Sequence, residues 1–239
     1  MSRPSWTRPR IDDFGVVQWG MMDRRGFILG STALALASPL QAAEVEIGGR
    51  KSAIRRRVWV ENPTLIQQQC PLWCWAASIT MIFANLGHVI DQRQIVERVF
   101  GGLVCAPAET GLTMAVALSD KWTDVLGLPF QSRVVAAYDE TAGVNRITNT
   151  FIVDELRNNR ALLYANRDHA MVMTAVEFID TPKGPNIYRV GVLDPYPTNK
   201  SFRSLTPLEM VPAYIGGHMT FLAAVHLLDP EQPQAAPKG

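Results

Sequence analysis

The segment Gln67-Gln68-Gln69-Cys70-Pro71-Leu72-Trp73-Cys74-Trp75-Ala76-Ala77-Ser78 gathers the groups that nucleophilic thiol chemistry requires. A cysteine attacks as a thiolate, an amide donor must meet the oxyanion that forms, and a base must come from elsewhere in the chain. Cys74 opens an apolar helical pattern, so its sulfur falls in a first turn, near unpaired backbone N–H groups and the positive end of the helix dipole. A lone cysteine on a helix is more often buried and inert. That reading leaves the flanking Trp73 and Trp75 and the glutamine cluster without a role.

The base can be sought by elimination, because the chain has only 4 histidines. His88 follows Gly87 in a Leu-Gly-His turn and reads as a surface residue. His218 and His226 bracket the last apolar strand, and His218, after Gly216-Gly217, is the second choice for a site role. His169 opens the strongest strand pattern, directly after the polar Asn166-Arg167-Asp168 turn. A base there faces a helix N-terminus from a rigid element.

An acid should then hold the imidazole. Asp194 ends the strand pattern Tyr188–Leu193 in Leu-Asp-Pro-Tyr-Pro, and the hairpin after Ile179 brings that strand beside the one led by His169. A carboxylate on the Nδ1 side would fix the tautomer and stabilise the imidazolium. Asp168 is a rival, but adjacent residues on a strand point to opposite faces. A metal site of Cys74, His169 and Asp194 would leave Gln68 and Trp75 unexplained, and no metal or organic cofactor is implied.

The elements that must position these groups follow from periodicity. Ile79, Ile82, Phe83 and Leu86 repeat at helical spacing from Cys74, and Gly87 stops the pattern. A second helix starts with Asp91 as cap and Gln94 three residues later, and ends at Gly101. Further helices are expected over Ala108–Trp122 and Thr148–Asn158. Strand patterns then follow at Ala161–Ala165, His169–Ile179, Tyr188–Leu193 and Met219–Leu228, with a Pro-Lys-Gly-Pro-Asn turn between the second and third. Helices first and an antiparallel sheet second is the α+β order.

Composition adds bounds. Lys+Arg 23 against Asp+Glu 22 gives no field that would draw nucleic acid or an anionic membrane. Asp23-Arg24-Arg25-Gly26-Phe27-Ile28-Leu29, the apolar run to Ala37 and the small residues Ala42-Ala43 resemble a twin-arginine export signal over residues 22–43. The apolar run is short for a membrane span, so no stable insertion is expected once the signal is removed. A bacterial protein of the periplasm or the secreted fraction is implied, starting near Glu44. Met22 directly precedes the signal, so residues 1–21 read as an upstream extension. Residues 44–65 form an N-terminal extension, residues 66–229 the domain, and the Pro/Gln/Ala tail over residues 230–239 is expected to be disordered. An oxidising compartment permits one disulfide among the 3 cysteines. Cys70–Cys105 would leave Cys74 reduced; Cys74 with Cys70 or with Cys105 would consume it.

Gln68, Cys74, Trp75, Ala76, His169 and Asp194, in that order, resemble a papain-like cysteine peptidase, nearest to the compact bacterial AvrRpt2-type group. The glutamine six residues before a Cys-Trp-Ala helix start is the most specific part, and the His-Ala-Met-Val-Met strand with a strand ending Asp-Pro is the second. The resemblance runs from about Ile66 to Leu228. It implies helices carrying Cys74 on one side, a sheet carrying His169 and Asp194 on the other, and an oxyanion hole of Gln68 with the Cys74 backbone N–H. Plant papains carry asparagine where Asp194 stands, and three consecutive glutamines leave the register of Gln68 open by one residue.

The reading is an exported papain-like thiol hydrolase acting on peptide or isopeptide bonds of a protein or peptide substrate. Two other classes share the same residues. An amine entering in place of water gives an acyltransferase or transglutaminase-like enzyme, and an oxidised or occluded Cys74 gives a non-catalytic binding module.

Overall fold

The structure, a computed structural model, describes residues 54–197 and 201–228, together with the strand residues Arg10–Ile11 and Val17–Gln18. The export signal at residues 22–43 and the tail at residues 230–239 lie outside the described residues. Strands β1 (Arg10–Ile11) and β2 (Val17–Gln18) form a small antiparallel pair.

The main body begins with β3 (Arg55–Trp59), then α1 (Cys74–Asn85), α2 (Gln92–Phe100), α3 (Gly111–Leu118), β4 (Lys121–Thr123), β5 (Pro129–Asp139) and β6 (Val144–Asn145). After these come α4 (Asn149–Arg157), β7 (Leu162–Asn166), β8 (Ala170–Thr181), β9 (Gly184–Leu193), β10 (Phe202–Ser204) and β11 (Met219–Leu228). One antiparallel sheet runs β10-β9-β8-β7-β11-β5-β4, with β3 added to β8 and β6 to β5. The class is α+β.

Register assigns the faces. Ala165, Phe221 and Asp139 lie side by side across β7, β11 and β5, while their chain neighbours Tyr164, Leu222 and Tyr138 form the opposite row. The N-terminal residue of α3, Gly111, sits on the first row so closely that a Cβ there would overlap Asp139 and Phe221. α1 packs on β7 and β8 and against α2 and α3. Ile152 of α4 joins Tyr138, Tyr164 and Leu222 around a cavity of about 220 Å³ on the other face. The sheet is therefore a central layer between α1–α3 and α4. Burial of Ile79, Ile82 and Phe83 anchors α1 to it, each side chain contributing about 1.5–3 kcal/mol at most.

The helix expectations hold in kind and shift in extent. α1 ends one residue early, with Leu86 as cap and Gly87 at φ 98°. Asp91 caps α2 by accepting from Arg93 N, and Gly101 closes it in the left-handed region. Gln94 does not complete a capping box, because its amide donates to Thr123 O. α3 is much shorter than the expected Ala108–Trp122. Thr110 caps it, and the residues that end it bond elsewhere: Ser119 Oγ accepts Val134 N and Asp120 takes Arg98. Trp122 consequently lies in β4, its indole donating back to Ala117 O.

Four strands of the main sheet, β3, β5, β6 and β10, carry no sequence expectation, and β4 stands partly where a helix was expected. β3 lies inside the extension assigned to residues 44–65, yet it pairs along β8 from Arg55↔Ile179 to Trp59↔Ala175. Its arginines meet acids of the sheet, with Arg57 Nη2 3.0 Å from Glu177 and Arg56 on Asp180. β5, between β11 and β4, β6, paired to β5, and β10, beside β9, are the others. The expected Pro-Lys-Gly-Pro-Asn turn contracts to Pro182-Lys183, with Thr181 opposite Gly184, and β9 starts at Gly184 (φ 105°).

Candidate active site

α1 presents Cys74 as its first residue. Trp73, the N-cap, makes no side-chain capping bond, so no side chain caps the first turn. Both neighbouring indoles donate outward to one loop: Trp73 Nε1 to Val104 O at 2.8 Å and Trp75 Nε1 to Ala106 O at 3.1 Å. Between those two carbonyls stands Cys105, disulfide-bonded to Cys70, and Cys74 is the free thiol. Of the three pairings the sequence allowed, the structure has the one that leaves Cys74 reduced.

The approach to Cys74 is held at several points. Gln92 Nε2 donates to Gln67 O at 2.7 Å, and its Oε1 accepts Gln69 N at 3.1 Å. Gln68 N donates to Pro195 O at 2.9 Å, which ties this loop to the turn that follows Asp194. Gln68 is the buried member of the glutamine run, with Gln67 and Gln69 exposed. Its amide nitrogen donates to Cys70 O at 3.0 Å and Pro71 O at 2.8 Å, while its Oε1 is buried without a hydrogen-bond partner. No sequence signal pointed to Gln92. A glutamine that is 1% exposed beside a cap residue could have raised the question only once burial was known.

His169 sits at the mouth of β8. Asn166 Oδ1 accepts the N–H groups of both Asp168 and His169, which closes the turn that delivers the ring. His169 Nε2 lies 2.7 Å from Asp194 Oδ1, which also accepts Tyr196 N at 2.9 Å. The acid is therefore on the Nε2 side, opposite to the expected Nδ1. Cys74 is the ring's other side-chain partner. Burial pushes His169 toward the neutral form, but the bonds to Asp194 and Cys74 outweigh it and raise its pKa to about 9. Tyr196 stands edge-on to the imidazole at 6.3 Å.

Asp194 is almost wholly buried, at 2% side-chain exposure. It follows β9, its N–H donates to Ser201 O, and Arg203 Nε lies 3.6 Å from its Oδ2. Asp168 is exposed. The structure thus brings Cys74, His169 and Asp194 to one place and sets Gln68 beside the loop that leads to them.

The remaining histidines lie apart. His88 is half-buried rather than a surface residue, bonded through Nδ1 to Asp124 at 2.9 Å and stacked on Phe130. His226 bonds Glu155, and His218 is exposed. Among the described residues no cluster of His, Cys, Asp and Glu could hold a metal ion, and no helix is long and apolar enough to cross a membrane.

Comparison with known proteins gives two findings. The family model described as papain-like cysteine protease AvrRpt2 matches residues 56–209. The crystal structure of UfSP from C. elegans is similar at a TM-score of 0.42 with 16% identity, covering 73% of this chain. The match spans only 34% of that longer chain. No curated protein matches the sequence.

Proposed function

The chain belongs to the papain-like cysteine protease AvrRpt2 family, and from that premise we propose that it hydrolyses peptide or isopeptide bonds of a protein substrate through Cys74, His169 and Asp194. The observation that carries the proposal is the imidazole of His169, bonded to Asp194 through Nε2 and with Cys74 as its other side-chain partner.

With its pKa at about 9, His169 is an imidazolium at neutral pH, which favours a standing thiolate–imidazolium pair. The Cys74 sulfur bonds to the scissile carbonyl carbon and the carbonyl electrons move to oxygen. Collapse breaks the C–N bond, and the amine leaves with the proton of His169 Nδ1. Water, deprotonated by the same nitrogen, then adds to the thioester; the acid departs and the sulfur is restored. Asp194 keeps the Nε2 proton throughout and holds the ring in plane with the thiol.

The Cys74 backbone N–H is the fixed oxyanion donor in this scheme. Gln68 supplies the second by exchanging one of its two carbonyl partners, Cys70 O or Pro71 O, for the oxyanion. Exposed Leu72, Leu103 and Val104 stand on the loops beside Cys74 and offer apolar contact to the substrate. Export fits the Cys70–Cys105 disulfide, since such bonds persist in oxidising compartments.

The test is cleavage of a peptide library by the chain, with Cys74→Ala as control and an added amine as competitor for water. Sequence-selective hydrolysis that vanishes in Cys74→Ala supports the proposal. Amine incorporation in place of hydrolysis would make the enzyme an acyltransferase. A thiol that reacts with iodoacetamide at an ordinary rate, with no turnover, would reject both.

A further inference from the structure

Behind the His169–Asp194 pair lies a second ionic layer with no part in the bond-breaking steps. Arg203, on β10, is set beside the end of β9 by the pairing Arg203↔Val192. Its Nε lies 3.6 Å from Asp194 Oδ2, and its two terminal nitrogens grip Glu209 at 3.1 and 2.7 Å. The same Glu209 carboxylate accepts Thr206 N at 2.8 Å and Asn166 Nδ2 at 3.3 Å. Its backbone carbonyl accepts the Tyr164 hydroxyl at 2.8 Å.

Glu209 therefore touches both arms of the site. Through Arg203 it reaches the acid, and through Asn166 it reaches the turn whose backbone delivers His169. From this geometry, and resting on the triad proposed above, we infer that Arg203 and Glu209 are positioning residues that set how strongly Asp194 holds the proton of His169.

The electrostatics give the inference a sign. The Arg203 cation draws part of the Asp194 field away from the imidazole, and the Glu209 anion cancels part of that cation. Bonding to Arg203 is also the largest influence on Glu209, whose carboxyl is held down at about 2. Removing the cation should leave Asp194 and Glu209 to hold the His169 proton more tightly. Removing the Glu209 charge should leave Arg203 free to compete for Asp194, so His169 releases its proton sooner. The other titratable groups at the ring are Cys74 from α1 and Tyr196, which stands edge-on to the imidazole; neither substitution alters them.

The experiment is a histidine NMR titration of the full chain, with the four imidazoles assigned by single His→Gln variants. Arg203→Met is expected to move the His169 titration upward and Glu209→Gln downward, each by roughly half a unit or more. Arg203→Lys, which keeps the cation, should stay near the native value and covers the case in which Arg203→Met fails to fold. The alkaline limb of kcat/KM should shift with the titration. Shifts of the same sign, or none while the variants remain folded, would overturn the inference. The titration reads the ring itself, so shifts of opposite sign in a chain without peptidase activity would reject the proposed reaction and leave the inference standing.

Discussion

Removing the Cys70–Cys105 bond, by Cys70→Ala with Cys105→Ala, tests the link between the disulfide and the site most directly. The bond joins residues 35 apart, and the chain-entropy relation for a closed loop of that length gives about 3.8 kcal/mol at 25 °C. Native contacts of the loop survive in principle, since the Trp73 and Trp75 indoles still donate to Val104 O and Ala106 O. The loss is therefore expected to appear in the unfolded state, as a lower urea midpoint with a slightly larger m. For a domain of this size it corresponds to a melting temperature lower by roughly 8–15 °C. The assay is urea unfolding of the native chain and the double variant without reductant, beside thiol counting in denaturant. One titratable thiol is expected in the native chain, and it should be Cys74. A stability difference below about 1 kcal/mol, or three thiols in the untreated protein, would refute the reasoning.

Two other substitutions bear on the site. His169 is held at about 9 against an unperturbed 6.5, so its contribution is fully present below pH 6.5 and is lost as pH rises through 9. That span amounts to up to about 3 kcal/mol; Asp194→Asn should flatten it, and unfolding in urea at pH 6 and pH 10 should show the native chain losing more stability than the variant. Gln92→Leu keeps the volume but leaves Gln67 O and Gln69 N without their partner, at a cost of about 1–3 kcal/mol. Faster hydrogen exchange at Gln69 is the expected sign, and unchanged protection there would discount the role given to Gln92.

Much of the architecture was legible because burial imposed a period. α1, α2 and α4 carry caps and apolar spacing in the sequence, and β8, β9 and β11 carry dense Val, Ile, Met and Leu. β3 escaped because Arg55-Arg56-Arg57 reads as a solvated charge run until Glu177 and Asp180 are seen opposite it. β5 escaped because its burial alternates irregularly, beside a register shift at Ala224/Val225 in its partner. The disulfide could not be chosen from the chain, since Cys105 lies almost equally far along it from Cys70 and Cys74. The difference in loop entropy is about 0.1 kcal/mol. What separates the two is the pair of indole donors that bracket Cys105, visible only once the loop is placed. Ring orientation at His169 was likewise out of reach, because it depends on the side from which α1 brings the thiol. Arg203 and Glu209 look like ordinary loop charges until β10 pairs with β9.

The loop Gln67–Gln69 has a consequence for turnover. Gln92 fixes its first carbonyl and its last amide, and Pro195 takes the amide in the middle. Ordering a free segment costs about 1–2 kcal/mol per residue in backbone entropy. A loop that settled only when substrate arrived would meet that cost in every catalytic cycle, and it would appear as weaker binding. Here the cost is met once, when the chain folds. Substrate binding is then free to do work on the scissile bond rather than on the enzyme.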